Sequence, residues 1–148
     1  MFISLLAACG GSDTGAATEG NNKPSSPRTG PFEGLSTRYD GYYKSEAADI
    51  VYLIRLFPEG NAVLINGVRQ IEDELPGNLV RDAVPDPDRG HYNVMVDVRN
   101  DSLFFVTTPR RGEISYSGNI TPEGDLSLLR QSHITGKRQV MVYRFIPD

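Results

Sequence analysis

The sequence predicts an all-β protein: an up-and-down, mostly antiparallel barrel of about eight strands with one short helical segment after the third strand. From residue 32 onward, apolar and polar residues alternate along short runs, as they do in strands that bury one face. Turn-forming Gly, Pro, Asn and Asp residues separate these runs. Eight strands are enough to close a barrel and so to remove its exposed sheet edges.

The first three strands are predicted over residues 35–45, 50–57 and 62–68. The second run is rich in β-branched and aromatic residues, which favour strands. The sequence Pro-Glu-Gly-Asn at 58–61 predicts a tight hairpin before the third strand, because proline fixes φ and glycine accepts a left-handed conformation.

The alternation stops between residues 69 and 84. Ile71, Leu75, Leu79 and Val80 recur there at near-helical spacing, which predicts one or two short helical turns. Proline and glycine at 76–77 interrupt these turns, and a Pro/Asp loop is expected over 82–90.

Alternation then resumes to the end of the chain. Strands are predicted over residues 91–98, 102–108, 113–120, 126–135 and 139–146. The third of these alternates most regularly, with Ile114 and Tyr116 on its apolar face. Pro-Glu-Gly-Asp at 122–125 repeats the hairpin chemistry of 58–61.

Length and charge limit the classes of function. The 148 residues amount to one domain, and the net charge of -4 argues against a nucleic-acid-binding face. No apolar stretch approaches the roughly 20 residues that span a bilayer as a helix. The single cysteine excludes an internal disulfide.

That cysteine follows a short apolar run. Leu6-Ala7-Ala8-Cys9 resembles the lipobox of bacterial lipoproteins. The resemblance implies that residues 1–8 are a short or truncated signal segment and that Cys9 carries a lipid anchor. Gly10 after the cysteine implies sorting to the outer membrane, facing the periplasm. The alternative is an incidental or buried cysteine after an apolar start.

The residues after the cysteine are expected to form a disordered tether over 9–31. They are Gly, Ser, Thr, Asn and Pro with a few charges, and such a segment buries too little apolar surface to offset its ordering entropy. A flexible segment of about 22 residues has an r.m.s. reach of about 26 Å. This length would hold a domain clear of the lipid head groups.

The body, residues 32–148, resembles a small lipocalin-like (calycin-type) barrel. Lipocalins begin their first strand with Gly-x-Trp and place an arginine from near the last strand over that tryptophan. Gly41-Tyr42-Tyr43 and Arg144 occupy the corresponding positions. The resemblance implies that Arg144 packs over the Tyr43 ring, a cation–π contact of about 0.5–2 kcal/mol.

The sequence gives little support for catalysis or metal binding. It has no Gly-x-Ser-x-Gly elbow, and His91 and His133 are far apart. No ligand spacing typical of zinc or calcium sites is present, so neither a metal nor a cofactor is expected. Arg55, Arg130 and Arg144 lie within predicted strands. They either face water or place one or two guanidinium groups inside the barrel, where they would fix a carboxylate or phosphate.

Two functions therefore stay open for a lipid-anchored envelope protein that is not an enzyme. In the first, the barrel binds a small apolar or amphipathic ligand; candidate lining residues are Tyr43, Tyr52, Tyr116, Tyr143, Phe145 and Arg144. In the second, the barrel is filled by its own side chains and binds an envelope protein as an assembly factor or inhibitor. Strands with apolar residues on both faces support this alternative, unless residues 69–89 cover the outer face.

Overall fold

The computed structural model describes residues 30–148, which form nine antiparallel strands and three short 3-10 helices. Cys9 and most of the predicted tether lie outside the described residues. The strands are β1 (Gly41–Ala47), β2 (Ile50–Leu56), β3 (Asn61–Val68), β4 (His91–Met95), β5 (Asp97–Arg99), β6 (Ser102–Thr107), β7 (Ile114–Ile120), β8 (Leu126–Ser132) and β9 (Arg138–Pro147). The 3-10 helices are Arg69–Glu74, Pro76–Asn78 and Pro87–Arg89.

The strands form a nearly closed up-and-down barrel, which confirms the predicted all-β class. Their order is β4-β3-β2-β1-β9-β8-β7-β6-β5, so the last strand closes back onto the first. The two edge strands, β4 and β5, follow each other in the chain and are separated by Val96. The predicted single strand over 91–98 is therefore two strands. The Val96 amide donates to the Gly60 carbonyl at 2.9 Å, next to the Asn61–Met95 pair of β3 and β4.

Two of the connections are the hairpins that the Pro-Glu-Gly pattern predicts. Gly60 and Gly124 have φ values of +103° and +88°, which favour glycine. The Gly60 amide donates to the Phe57 carbonyl at 2.9 Å, and the Gly124 amide donates to the Thr121 carbonyl at 2.9 Å. These turns fix the registers of β2 with β3 and of β7 with β8.

The inner faces of the strands form one continuous apolar core. Alternate residues of each strand point inward, as in β7, where Ile114 and Tyr116 are buried as predicted. Phe32 and Leu35, from the segment before β1, pack against one end of this core and close it. The core contains Phe32, Tyr43, Ile54, Leu56, Ala62, Leu64, Val96, Leu103, Phe105, Ile114, Tyr116, Leu126, Leu128, Met141 and Tyr143.

A second, smaller core covers the outer face of β2 and β3. The residues after β3 form two 3-10 helices separated by Leu75, with Pro76 starting the second, where helical turns with an interruption were predicted. Leu75 and Leu79 are buried there against the outward side chains of the two strands. The second core contains Val51, Leu53, Val63, Ile65, Leu75, Leu79 and Ala83. The apolar outer face of β2 is thus covered by the chain itself.

Candidate functional site

The barrel has one end at which its two halves separate. The pairing of β1 with β9 runs from Gly41 opposite Pro147 to Lys44 opposite Arg144, and the rest of β1 pairs only with β2. At the other junction, β4 pairs with β3 and β5 with β6. The end away from Phe32 is therefore not closed by a continuous ladder. We call it the open end, defined by the inward residues Ser45, Tyr52, Asn66, Tyr92, Thr107, Tyr116 and Arg130.

Most of the predicted lining residues lie in the barrel interior as core residues. Tyr43, Tyr116 and Tyr143 are buried, whereas Tyr52 and Phe145 are partly buried and pack against the same core. Tyr116 stacks on Phe105 with ring centroids 4.8 Å apart, and Tyr43 meets Phe145 edge-on at 5.1 Å. These rings fill the interior by packing against one another.

Arg144 is the exception, and the interpretation that it packs over Tyr43 is wrong. Met141 and Tyr143 are buried on β9, so the alternation turns Arg144 outward, where it is exposed. A cation–π contact does exist at the closed end, but Arg38 makes it, with its guanidinium 3.9 Å from the Phe145 ring centroid. The Arg38 backbone amide also donates to the Tyr43 hydroxyl at 3.2 Å.

Arg130 is the strand arginine that does point inward. Its neighbours two residues away on β8, Leu128 and Ser132, are both buried. Arg130 also lies opposite Tyr116 in the β7–β8 register, and directly paired residues share a face of the sheet. Alternation on β8 was a usable signal in the sequence, because Leu126 and Leu128 set the inward phase.

The buried part of the Arg130 guanidinium lacks a hydrogen-bond partner. Its Nε atom is buried and makes no hydrogen bond within residues 30–148. The Thr107 hydroxyl, also buried on the inner face, is likewise without a partner there. A buried donor without an acceptor costs about 1–3 kcal/mol, and more when the group is charged. The open end therefore holds a cation whose hydrogen bonding is incomplete.

Tyrosine side chains share the inner face of the barrel with this cation, and Tyr116 lies directly opposite it. Burial raises the pKa of the Tyr92 hydroxyl and, more strongly, that of Tyr143, while the Arg130 charge lowers the pKa of both. Because their pKa values are raised, these hydroxyls stay protonated at neutral pH and are neutral hydrogen-bond donors.

The interior itself has almost no free space at this end. An internal cavity of about 10 Å³ lies between Tyr52, Asn66, Tyr92, Tyr116 and Tyr143. This volume holds one water molecule at most.

A much larger groove lies outside, against the open end. It has a volume of about 930 Å³ and runs between the 3-10 helices after β3 and the loop before β4. Asn93 holds that loop in place, because its side-chain amide donates to the carbonyls of Arg81 at 2.9 Å and Ala83 at 3.0 Å. We call this groove the side groove. Its lining includes Ile65, Asn66, Val68, Ile71, Glu74, Val84, Asp86, Asp88, Arg89, His91 and Tyr92.

The side groove and the internal cavity share a wall. Asn66 and Tyr92 line both, so the groove leads to the open end of the barrel. Its rim carries exposed aliphatic side chains: Val84 is 81% exposed and Ile71 is 41% exposed. Neither residue was predicted as a site residue. Their exposure depends on the path of the loop and could not be read from sequence alternation.

The described part of the chain offers no metal centre and no bilayer-spanning helix. Residues 30–148 contain no group of three or more His, Cys, Asp or Glu side chains placed to bind a metal ion. Within the same residues, no helix has the length and apolar character needed to cross a membrane.

Fold and site together define a class: an antiparallel β-barrel filled by its own side chains, with polar residues at the end where the two half-sheets separate. Comparison of the chain with known protein families, curated proteins and solved structures finds no match.

Proposed function

We propose that this protein is a lipid-anchored lipoprotein of the bacterial cell envelope whose barrel is a protein-interaction module. The lipobox resemblance at Cys9 supports the anchor, and the Gly/Ser/Asn/Pro-rich segment after it is suited to a tether. By the same resemblance, the barrel faces the periplasm from the outer membrane.

The filled interior supports a role in protein interaction rather than in binding a small molecule inside the barrel. Pockets for small molecules commonly measure about 300–1,000 Å³, whereas the barrel interior offers a cavity of about 10 Å³. A ligand inside the barrel would have to displace core side chains such as Tyr116 and Tyr143. The side groove has the required size, but it is an open surface.

The partner that fits this groove is an extended segment of an envelope protein with aliphatic and basic side chains. Val84 and Ile71 offer apolar contacts that are exposed in the free protein. Glu74, Asp86 and Asp88 line the same groove. Within the described residues, Asp86 pairs with Arg89 at 3.5 Å and Asp88 with Arg110 at 2.5 Å, whereas Glu74 has no ion pair there. A basic side chain of the segment would complement the Glu74 carboxylate.

Crosslinking in intact bacteria tests the interaction. A photoreactive amino acid at Val84 is expected to crosslink one discrete envelope protein, and Ile71→Asp is expected to lower the yield. The matched control is Phe104, an apolar residue that is 41% exposed on β6, in the other half of the barrel. Equal crosslinking from Val84 and Phe104, or none from either, would contradict the proposal.

The anchor has a separate test. The intact mass of the membrane-extracted protein is expected to show a chain that starts at Cys9 with acyl groups attached, and Cys9→Ser is expected to move the protein to the aqueous fraction. An unlipidated product that keeps Met1 and partitions into water would remove the envelope assignment and leave the barrel unaffected.

A further inference from the structure

We infer that the free edge of β9 is a strand-addition site, which pairs with an extended acidic segment of another protein. We call residues 138–143 of β9 the β9 edge. None of these residues lines the side groove, so the inference goes beyond the proposed function and does not depend on the partner of that groove. It rests on the backbone, the exposed valines and the arginines of this strand.

The backbone of the β9 edge has no strand paired with it on one side. β9 pairs with β8 along the whole edge, but its pairing with β1 stops at Arg144. If the register continued, Ala47 at the end of β1 would face Met141, so residues 138–140 extend past the end of β1. Such an edge offers its N–H and C=O groups as a template for a further strand.

Hydrogen bonds at the end of β9 identify the backbone groups that point to this free side. The Asp148 amide donates to the Asp40 carbonyl, on the β1 side, at 3.0 Å. The Phe145 amide instead donates to the Asp125 carboxylate, on the β8 side, at 3.1 Å. Backbone groups of alternate residues in a strand point to opposite edges. The even-numbered residues of the β9 edge therefore direct their N–H and C=O groups away from β8.

The outward side chains along this strand are aliphatic and basic. Val140 and Val142 are 66% and 51% exposed, and Arg138 and Arg144 flank them on the same outer face. Neither guanidinium has an ion pair or a hydrogen bond within residues 30–148, although most other cations there have an ion pair. Aliphatic and acidic side chains on an added strand would complement these positions.

A pocket on the outer face lies where β1 and β9 separate. It has a volume of about 370 Å³, and its lining includes Lys44, Glu46, Val142 and Arg144. Glu46 is already paired with Lys44 at 2.8 Å and with Arg69 at 3.0 Å. Within the described residues, Arg144 is thus the lining charge left for a carboxylate of the added strand.

Charge favours an acidic segment over a second copy of this chain. Two β9 edges paired antiparallel with Val140 opposite Val142 would place Arg138 of each copy opposite Arg144 of the other. Like charges directly opposite destabilise a strand pair, whereas carboxylates at these positions would form ion pairs. The matching segment therefore has acidic residues at both ends, with aliphatic residues at alternate positions between them.

The experiment adds an end-blocked peptide, Glu-Ser-Val-Ser-Val-Ser-Glu, to the full chain carrying Cys9→Ser and follows backbone amides by NMR. Serine occupies the positions that face the barrel, because the interior has almost no free space. The Val140 and Val142 amide signals are expected to shift in a saturable way at millimolar peptide, since these amides would donate to the peptide carbonyls. Absence of these shifts would overturn the inference.

Two control peptides separate strand pairing from simple charge attraction. The first has lysine in place of both glutamates. The second keeps the glutamates but has N-methylated valines, which removes the N–H groups that would face β9. Both are expected to leave the Val140 and Val142 signals unchanged, and shifts from either as large as those from the acidic peptide would overturn the inference.

Charge reversal tests the two arginines. Arg138→Glu combined with Arg144→Glu is expected to lower affinity for the acidic peptide about tenfold and to gain binding of the lysine peptide. The control, Arg99→Glu combined with Arg111→Glu, has the same net charge and should bind the acidic peptide as the unmodified chain does. All four arginines are exposed, so both variants are expected to fold. Equal losses in the two variants would overturn the site.

The same samples test two other occupants. Concentration-dependent broadening of the Val140 and Val142 signals without peptide would assign the edge to a second copy. Binding to phosphatidylglycerol vesicles, without binding of the acidic peptide, would assign it to a membrane surface. Either result overturns the inference. Failure of the Val84 crosslink would remove the proposed function and leave peptide binding at the β9 edge unaffected.

Discussion

Replacing Arg130 with methionine is expected to stabilise the protein. Methionine fills a similar volume on the inner face of β8, between the buried residues Leu128 and Ser132. It also removes a buried Nε that has no hydrogen-bond partner in the described chain. Replacing a buried charge by an apolar side chain of similar size is often neutral or stabilising.

The magnitude follows from how deeply the group is buried. An unsatisfied buried donor costs about 1–3 kcal/mol, and the partial exposure of Arg130 places the gain at the low end, about 1 kcal/mol. For a domain of roughly this size, that free energy corresponds to a rise in Tm of about 4 °C. Urea and thermal unfolding followed by circular dichroism would measure both quantities.

The matched control is Arg144→Met on the outer face of β9, whose free energy of unfolding should change by no more than about 0.5 kcal/mol. A loss of more than about 1 kcal/mol in Arg130→Met would refute the reasoning. It would mean that the guanidinium is satisfied in the folded protein and supports the barrel.

Two further results are expected. Gly118→Ala should lower the free energy of unfolding by about 3 kcal/mol in urea titrations, because the new Cβ would lie 1.9 Å from the Ser127 carbonyl oxygen of the paired strand. The control is Asn119→Ala, at an exposed position. An effect of Gly118→Ala no larger than that of the control would contradict this prediction. Stability should also fall as pH rises above 10, since burial raises the pKa of Tyr143 above its ordinary value of 10.0 and the unfolded chain then ionises first. The urea midpoint between pH 8 and 11 measures this decline, which Tyr143→Phe should reduce; an unchanged slope in that variant would exclude Tyr143 as its source.

Much of the barrel could be predicted because its signals are local. Turn chemistry at 58–61 and 122–125 sets two hairpins, and alternation in 113–120 gives the inward face of β7. A strand that buries one face has a fixed period of two, so short stretches of sequence are enough to identify it. The extra strand boundary at Val96 has no such signal, because it depends on a contact with Gly60, which is distant in the chain and lies at the start of the neighbouring strand β3.

The candidate site was predicted in part. Tyr52, Tyr116 and Tyr143 were named from their strands and do lie at or beside the open end. The direction of Arg130 was left open, although the phase of Leu126 and Leu128 on β8 indicates it. The prediction for Arg144 was wrong because it followed the resemblance to lipocalins, which implied that Arg144 packs over the Tyr43 ring. Alternation along β9 places Tyr143 inward and therefore Arg144 outward, in solvent.

The sequence by itself determined the strand class, the hairpins, and the apolar residues available for a core. Whether that core is hollow or filled was decided only by the tertiary structure, because it depends on how far apart the two half-sheets stand and on which rings meet between them. The same holds for the outer face of β2 and β3, where Leu75 and Leu79 cover an apolar surface that local sequence leaves open. Packing joins residues distant in the chain, and periodicity carries no information about that distance.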